Sequence, residues 1–432
     1  MRYAAKLNSN RTLLRGGATA AAALLLAALI AGAAPRAVQQ SADAWPHLLG
    51  PRRDGTAPAT EIVAWPTTGP RVLWQRSVGE GFAGPAVAAG RLLLFHRVAD
   101  EEVLESLDPA TGRTDWSTAY ATEYRDDFGF DEGPRATPTA AQGRVFTLGA
   151  QGKLQAIDLS TGRRLWSVDT HARFGVRKGF FGAASAPIVD GDRVMVNVGG
   201  RDAGIVAFDA ASGEVLWTAT DHEASYSAPR TAQLGGRHSA LFFTRNGLVE
   251  IDPASGEVRA DYPWRSRSRS SVNVATPLVI GERVYLSASY GTGAVLLERD
   301  STGFMPVWSS NDMLTNHYAT SIHYRGYLYG FHGRQEYGQS LRAVELSTGK
   351  LAWEVERFGA GTLLLVGDRL LILRERGELV LAEAGPEAFR PLASARILDG
   401  TVRAYPALAN NLLFARSGSE LIAVELPSSP SS

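Results

Sequence analysis

The 432-residue sequence contains no cysteine. That excludes disulfides, thiolate nucleophiles, cysteine-ligated zinc, iron–sulfur clusters and any lipid anchor on cysteine. It also lacks an excess charge of either sign, with 44 Lys and Arg against 44 Asp and Glu. A neutral chain has no electrostatic pull toward nucleic acid or anionic lipid, so no nucleic-acid partner is expected. None of the G-x-S-x-G, H-E-x-x-H, P-loop or G-x-G-x-x-G contexts is present, and no Ser/His/Asp trio stands out. What remains is 45% hydrophobic and 20% charged, enough apolar surface for a sizeable core.

Arg2, Lys6, Arg11 and Arg15 precede an apolar stretch from Ala18 to Ala34. Ala31 and Ala33 then offer a cleavage site of the A-x-A kind. The stretch is short and Ala-rich for a membrane span, so residues 1–34 read as a signal peptide, the alternative being an uncleaved N-terminal anchor. The expected location is periplasmic or secreted. A membrane would be met only through an uncleaved leader.

The rest of the chain repeats. An apolar strand, an acid, a turn ending in Gly and then Trp recur, as in LQAIDLSTGRRLW from Leu154 to Trp166. The acids are Asp108, Asp158, Asp209, Asp252, Asp300, Glu345, Glu383 and Glu425, spaced by 38 to 51 residues. A second phrase, a Gly-type turn followed by a strand, precedes each copy. A third, usually a small residue before Pro, leads into that. A period of roughly 40–50 residues holding short strands marks a propeller blade. The acid accepts backbone N–H groups in a tight turn. The Gly takes a positive φ. The Trp offers a large face to a neighbouring blade, which makes Trp74, Trp116, Trp166, Trp217, Trp308 and Trp353 structural. The last copy stops at Leu426 without its turn or Trp, and the strand from Arg71 carries a Trp with no turn before it. Together they complete one blade. The expected fold is all-β, a single eight-bladed β-propeller of four-stranded blades over residues 65–427, closed by an N-to-C clasp. Residues 35–64 lead in and 428–432 form a tail.

The phrase A-x-D-x-x-T-G-x-x-x-W, intact from Ala156 to Trp166, resembles the tryptophan-docking motif of pyrroloquinoline-quinone-type propellers. The chain is thus similar to the quinoprotein alcohol dehydrogenase-like superfamily, and most of all to its small single-propeller members with pyrroloquinoline-quinone-binding-like repeats. These are related to the lipoprotein that helps assemble outer-membrane barrels. Trp45 to Gly55 resembles a W-P-x-x-x-G-P-x-R-D-G opening of secreted members. The resemblance implies a propeller and allows either an enzyme or a scaffold. It departs where the dehydrogenases use two adjacent cysteines over the quinone, and where the lipoprotein uses a lipidated cysteine.

In a propeller, loops that enter the innermost strands share one mouth. Four such loops carry polar or aromatic residues. One holds Asp126, Asp127, Asp131, Glu132 and Arg135; its acidic run reads as a solvated loop, not a calcium loop. Another holds Arg177, Lys178, Phe180 and Phe181. A third holds Ser271 and Asn273, after an Arg-Ser alternation over 265–269 that reads as a charged, exposed edge strand. The fourth holds Asn316, His317 and Tyr318. His317 reads equally as a channel ligand or as a hydrogen-bonded structural residue, while His323 and His332 read as strand residues. The candidate ligand-binding set is Arg135, Lys178, Phe181, Asn273, Asn316, His317 and Tyr318, with no catalytic or metal residues. The expected function is a monomeric exported binding or scaffold module for an envelope protein or a small polar ligand, with no cofactor. The alternative is an oxidoreductase using pyrroloquinoline quinone with calcium.

Overall fold

The structure, a computed structural model, describes residues 44–57, 61–265 and 272–429. The leader, most of the Arg-Ser alternation, Ser271 and the end of the tail lie outside the described residues. Eight four-stranded antiparallel blades follow one another around a ring, one of them extended by a fifth, parallel strand. Blade 1 comprises Ala86–Ala88, Arg91–Val98, Glu101–Leu107 and Thr114–Ala121, running from the innermost strand to the outermost. Blades 2 to 7 repeat this order with innermost strands starting at Thr139, Ile188, Arg230, Leu278, Ile322 and Gly361. Among the described residues no helix is long and apolar enough to cross a membrane.

Blade 8 takes three strands from the end of the chain, Ala407–Ala409, Leu412–Arg416 and Glu420–Glu425, and its outermost from the beginning, Arg71–Ser77. Trp74 pairs with Ala423, and Ser77 with Glu420. The clasp leaves no open sheet edge at the seam of the ring.

Each punctuation residue does one geometric task. Asp158 Oδ1 accepts the backbone N–H groups of Ser160 and Thr161 at 3.1 and 2.9 Å. These bonds, led by the Ser160 hydroxyl, pull its pKa down to about 2. Gly162 closes the turn at φ 74°, where a side chain would be strained. A Cβ there would stand 2.6 Å from Cε3 of Trp116 in the preceding blade. The Trp116 indole lies flat on that bare glycine, and its N–H reaches past it to Leu159 O at 3.1 Å. The other tryptophans repeat the bond into the next blade: Trp74 to Pro109, Trp166 to Ala210, Trp217 to Pro253, Trp308 to Leu346 and Trp353 to Gly385. Blade 4 carries Ala260 at this position. There a buried ion pair between Arg299 of blade 5 and Glu250 of blade 4 spans the interface.

Residues 44–57 occupy the channel itself. Trp45 exchanges both backbone bonds with Val87 of blade 1 at 2.8 Å, and Pro46 O accepts Ala140 N of blade 2 at 2.7 Å. Thr56 and Ala57 add a parallel strand to the inner edge of blade 7, opposite Leu365 and Val366. The segment is therefore held to inner strands at both ends, on blades 1 and 2 at one end and on blade 7 at the other.

Burial also sets an acid sensitivity. His47, His171, His317, His323 and His332 all have their pKa lowered from 6.5, with burial as the first cause; His332 falls to about 4. Unfolding would let these rings take up protons near pH 6.5 that the fold refuses until lower pH. Their contribution to stability is present above pH 6.5 and is lost as pH falls below it. The melting temperature should drop between pH 7.5 and 5.0, and a flat profile over that window would contradict the buried neutral rings.

Candidate functional site

The loops before the innermost strands converge at the channel mouth. In four blades the residue three before the Pro that precedes the inner strand is large and aromatic or cationic, while blades 3 and 5 carry Ala184 and Val274 there. This offset gives Phe82 in blade 1, Arg135 in blade 2, Tyr226 in blade 4 and Arg403 in blade 8. Tyr318 holds the matching place before Ile322 in blade 6. Phe82 is flanked by two guanidiniums, Arg135 at 5.6 Å and Arg403 at 5.4 Å from its ring centre. Such contacts favour a cation over the negative face of an aromatic ring.

Arg135 is the hub. It also stands over Tyr124 at 5.6 Å and Phe181 at 5.7 Å. It donates to Asp126 Oδ1 at 3.3 Å and to Asp131 O at 2.9 Å. Asp126 is closed off from water, and its other oxygen accepts Phe130 N at 2.7 Å. Asp131 accepts Gly81 N and Gly133 N at 3.0 and 2.7 Å. The acidic run is therefore not simply a solvated loop. Two of its acids are internal struts, because a long loop over the mouth must satisfy its own backbone donors.

Lys178 bridges to this loop, with Nζ 2.6 Å from Asp127 Oδ1 and 5.2 Å from the Tyr124 ring centre. Phe181 packs against Phe128 at 5.1 Å and Tyr226 at 5.7 Å, and its N–H donates to Tyr226 Oη at 2.9 Å. Phe128 and Phe130 stack at 6.2 Å yet remain 53% and 56% exposed. Arg403 lies over Phe130 at 5.3 Å and donates to Glu375. Its charge is also felt by His317 and Tyr318. Burial raises the Tyr318 hydroxyl well above its ordinary value, so it stays a neutral donor. His317 Nε2 lies 3.0 Å from Tyr290 Oη, and its ring meets Tyr318 edge-on at 6.1 Å.

Arg135, Lys178 and Phe181 thus share one cluster, which Arg403 joins through Phe82 and Phe130, while His317 and Tyr318 make their ring contacts with each other and with Tyr290. The two asparagines do not face the mouth. Asn273 is 2% exposed and its amide donates to Thr244 O at 2.7 Å. Asn316 is fully buried between Phe331 O and the Ser321 hydroxyl. Both tie a mouth loop to the neighbouring hairpin, so they act as wall supports instead of ligand contacts. Phe82, Phe128, Phe130, Tyr226 and Arg403 belong to the mouth but are not in the set drawn from loop composition. Their signal is the fixed offset before Pro for three of them, and the exposed aromatic pair for the others.

Residues 99–332, more than half of the chain, match the family described as outer membrane protein assembly factor BamB. The outer membrane protein assembly factor BamB of Shewanella oneidensis is 22% identical over 383 residues, covering 75% of this chain and 92% of that protein. The crystal structure of BamB from Moraxella catarrhalis superposes with a TM-score of 0.60 at 16% identity, covering 84% of this chain and 100% of that one. A europium-containing methanol dehydrogenase superposes with a TM-score of 0.67 at 13% identity, covering 88% of this chain and 91% of that one. At such identities the two structures speak for the shared eight-bladed architecture alone. With the repeat phrase, the docked tryptophans and the family match in agreement, the chain belongs to the outer membrane protein assembly factor BamB family of pyrroloquinoline-quinone-like propellers.

Proposed function

We propose that this protein is an exported scaffold whose channel mouth docks an extended polypeptide segment rich in aromatic side chains. The observation that carries this is the pair Phe128 and Phe130. More than half of each ring is left in water, on a bed of Phe181, Tyr226 and two guanidiniums. Exposed aromatics grouped over a rigid polar base mark an interaction surface. The mouth arginines already hold Asp126 and Glu375, so they offer ring faces and stacking more than free charge. Relatives named as outer-membrane protein assembly factors support a polypeptide client. Strands of outer-membrane barrels carry aromatic girdles of the kind such a surface would receive.

A calcium-held quinone is the reading that this donor set supports less. Among the described residues no group of three or more His, Asp or Glu side chains could hold a metal ion. The carboxylates nearest the mouth cluster are bound to arginine, to lysine or to backbone N–H groups.

The test is fluorescence anisotropy with a ten-residue peptide alternating Phe and Thr. Saturable binding is expected, weakened at least tenfold by the pair Phe128→Ala and Phe130→Ala, while the protein stays folded with only a small drop in melting temperature because about half of each side chain is exposed. A peptide with Ser in place of Phe should not bind. No saturable binding, or equal affinity in the double variant, would sink the proposal.

A further inference from the structure

Two arginines at the heart of the ring, Arg230 buried and Arg53 partly buried, form no ion pair among the described residues. Arg53 sits in the segment held against the inner strands, at a backbone φ of 55°. Among the described residues its guanidinium makes no hydrogen bond or ion pair. Arg230 opens the inner strand of blade 4 and is 9% exposed. Its Nε has no partner, and its one bond is a long 3.5 Å contact from Nη1 to Pro277 O. The inner strands of the other blades open with Ala86, Thr139, Ile188, Leu278, Ile322, Gly361 and Ala407. Arginine is therefore not what the blade needs for packing.

The carboxylate next along the chain, Asp54, acts on Arg230 through its charge but makes no ion pair with it and is engaged elsewhere. Asp54 accepts Thr56 N at 2.9 Å and the Thr56 hydroxyl at 2.5 Å, and Arg52 Nε lies 3.7 Å away. Burial first, and the charge of Arg230 second, lower the pKa of Arg53 to about 9. Arg53 thus remains charged at neutral pH, facing a second charge of the same sign. A cavity of about 370 Å³ opens against it, lined by His47, Arg52, Arg53, Thr139 and Thr231, with Arg230 next to the last of these. Buried charge without a counter-ion is costly, and a guanidinium is shaped to grip a planar or tetrahedral oxyanion with two parallel bonds.

We propose that this cavity binds an oxyanion, the phosphate or carboxylate group of a small molecule, held by Arg53 with Arg230 behind it. The volume exceeds that of the bare group, since water occupies about 30 Å³ per molecule. A small substituent on the anion therefore fits. The site is independent of the polypeptide surface at the mouth.

The experiment uses the full chain in chloride buffer, titrated calorimetrically with inorganic phosphate and, in parallel, with succinate. Saturable binding of at least one is expected, with a melting temperature that climbs with its concentration, as a ligand of the native state requires. Phosphate alone would identify a phosphate-bearing ligand, and succinate alone a carboxylate. Arg53→Ala and Arg230→Leu should each weaken binding at least tenfold. Arg230→Leu should also melt higher than the parent in chloride alone, because it replaces an unpaired buried charge with the residue type of Leu278. The proposal is overturned if neither anion binds, if Arg230→Leu responds to anion as the parent does, or if it melts lower in chloride.

Discussion

Trp166→Ala should cost the protein about 3–5 kcal/mol, the range for emptying a buried aromatic site. Trp166 is 9% exposed and its ring centre lies 6.0 Å from Phe146. Its N–H donates to Ala210 O at 3.1 Å in the next blade. Truncation loses that bond and opens a void between blades 2 and 3, which neither backbone can fill. Trp166→Phe keeps most of the apolar face and should cost less, with about 1 kcal/mol of it from the lost hydrogen bond. Gly213 supplies the other half of the contact. It sits at φ 76°, and a Cβ on it would come 2.7 Å from Trp166 Cδ2. Gly213→Ala therefore pays both a backbone strain of about 1–2 kcal/mol and a steric clash. In the Trp166→Ala background only the strain remains. The double variant should be more stable than the sum of the two losses predicts, a coupling that a double-mutant cycle by thermal unfolding measures directly. Strict additivity would mean that the indole does not rest on the glycine.

That contact explains why the fold is legible in the sequence. Asp158, Gly162 and Trp116 each have one geometry open to them, and the repeat prints those geometries at a regular interval. The clasp is legible for the same reason, since Leu426 ends where a turn and Trp should follow. The mouth is less legible because its signal is register, not composition. Loop polarity points to Arg135, Lys178 and Phe181, which do meet. It also points to Asn273 and Asn316, because a buried asparagine that braces a loop reads like one that binds a ligand. Phe82 and Arg403 look ordinary in their own loops. Only alignment to the Pro three residues later places them beside Arg135. The seating of Trp45 to Ala57 against the inner strands has no periodic signal at all. It depends on pairing with Val87 and Leu365, residues far away in the chain.

Ala423→Pro should be the most damaging single change in the strand ladder. Ala423 lies in the strand Glu420–Glu425, flanked on one side by Leu412–Arg416 and on the other by Arg71–Ser77. It pairs with Phe414 and with Trp74. Proline removes a ladder donor and clashes in the interior of a sheet, at a cost of about 3 kcal/mol or more. The same local penalty applies to Ala207→Pro in blade 3, which pairs with Met195 and Trp217 on its two sides. The two differ in what the damaged ladder holds. In blade 3 the neighbouring strands are tied by short turns, so they stay close when the ladder weakens. In blade 8 the outermost strand belongs to the other end of the chain, with Arg71 opposite Glu425. Its return has to meet the full loop-closure entropy of the ring, with no disulfide to hold the seam. Limited proteolysis should then cut Ala423→Pro first near residues 66–77, while Ala207→Pro leaves that stretch protected at the same temperature. Equal protection of the Arg71–Ser77 strand in both variants would show that the clasp is not what closes the ring.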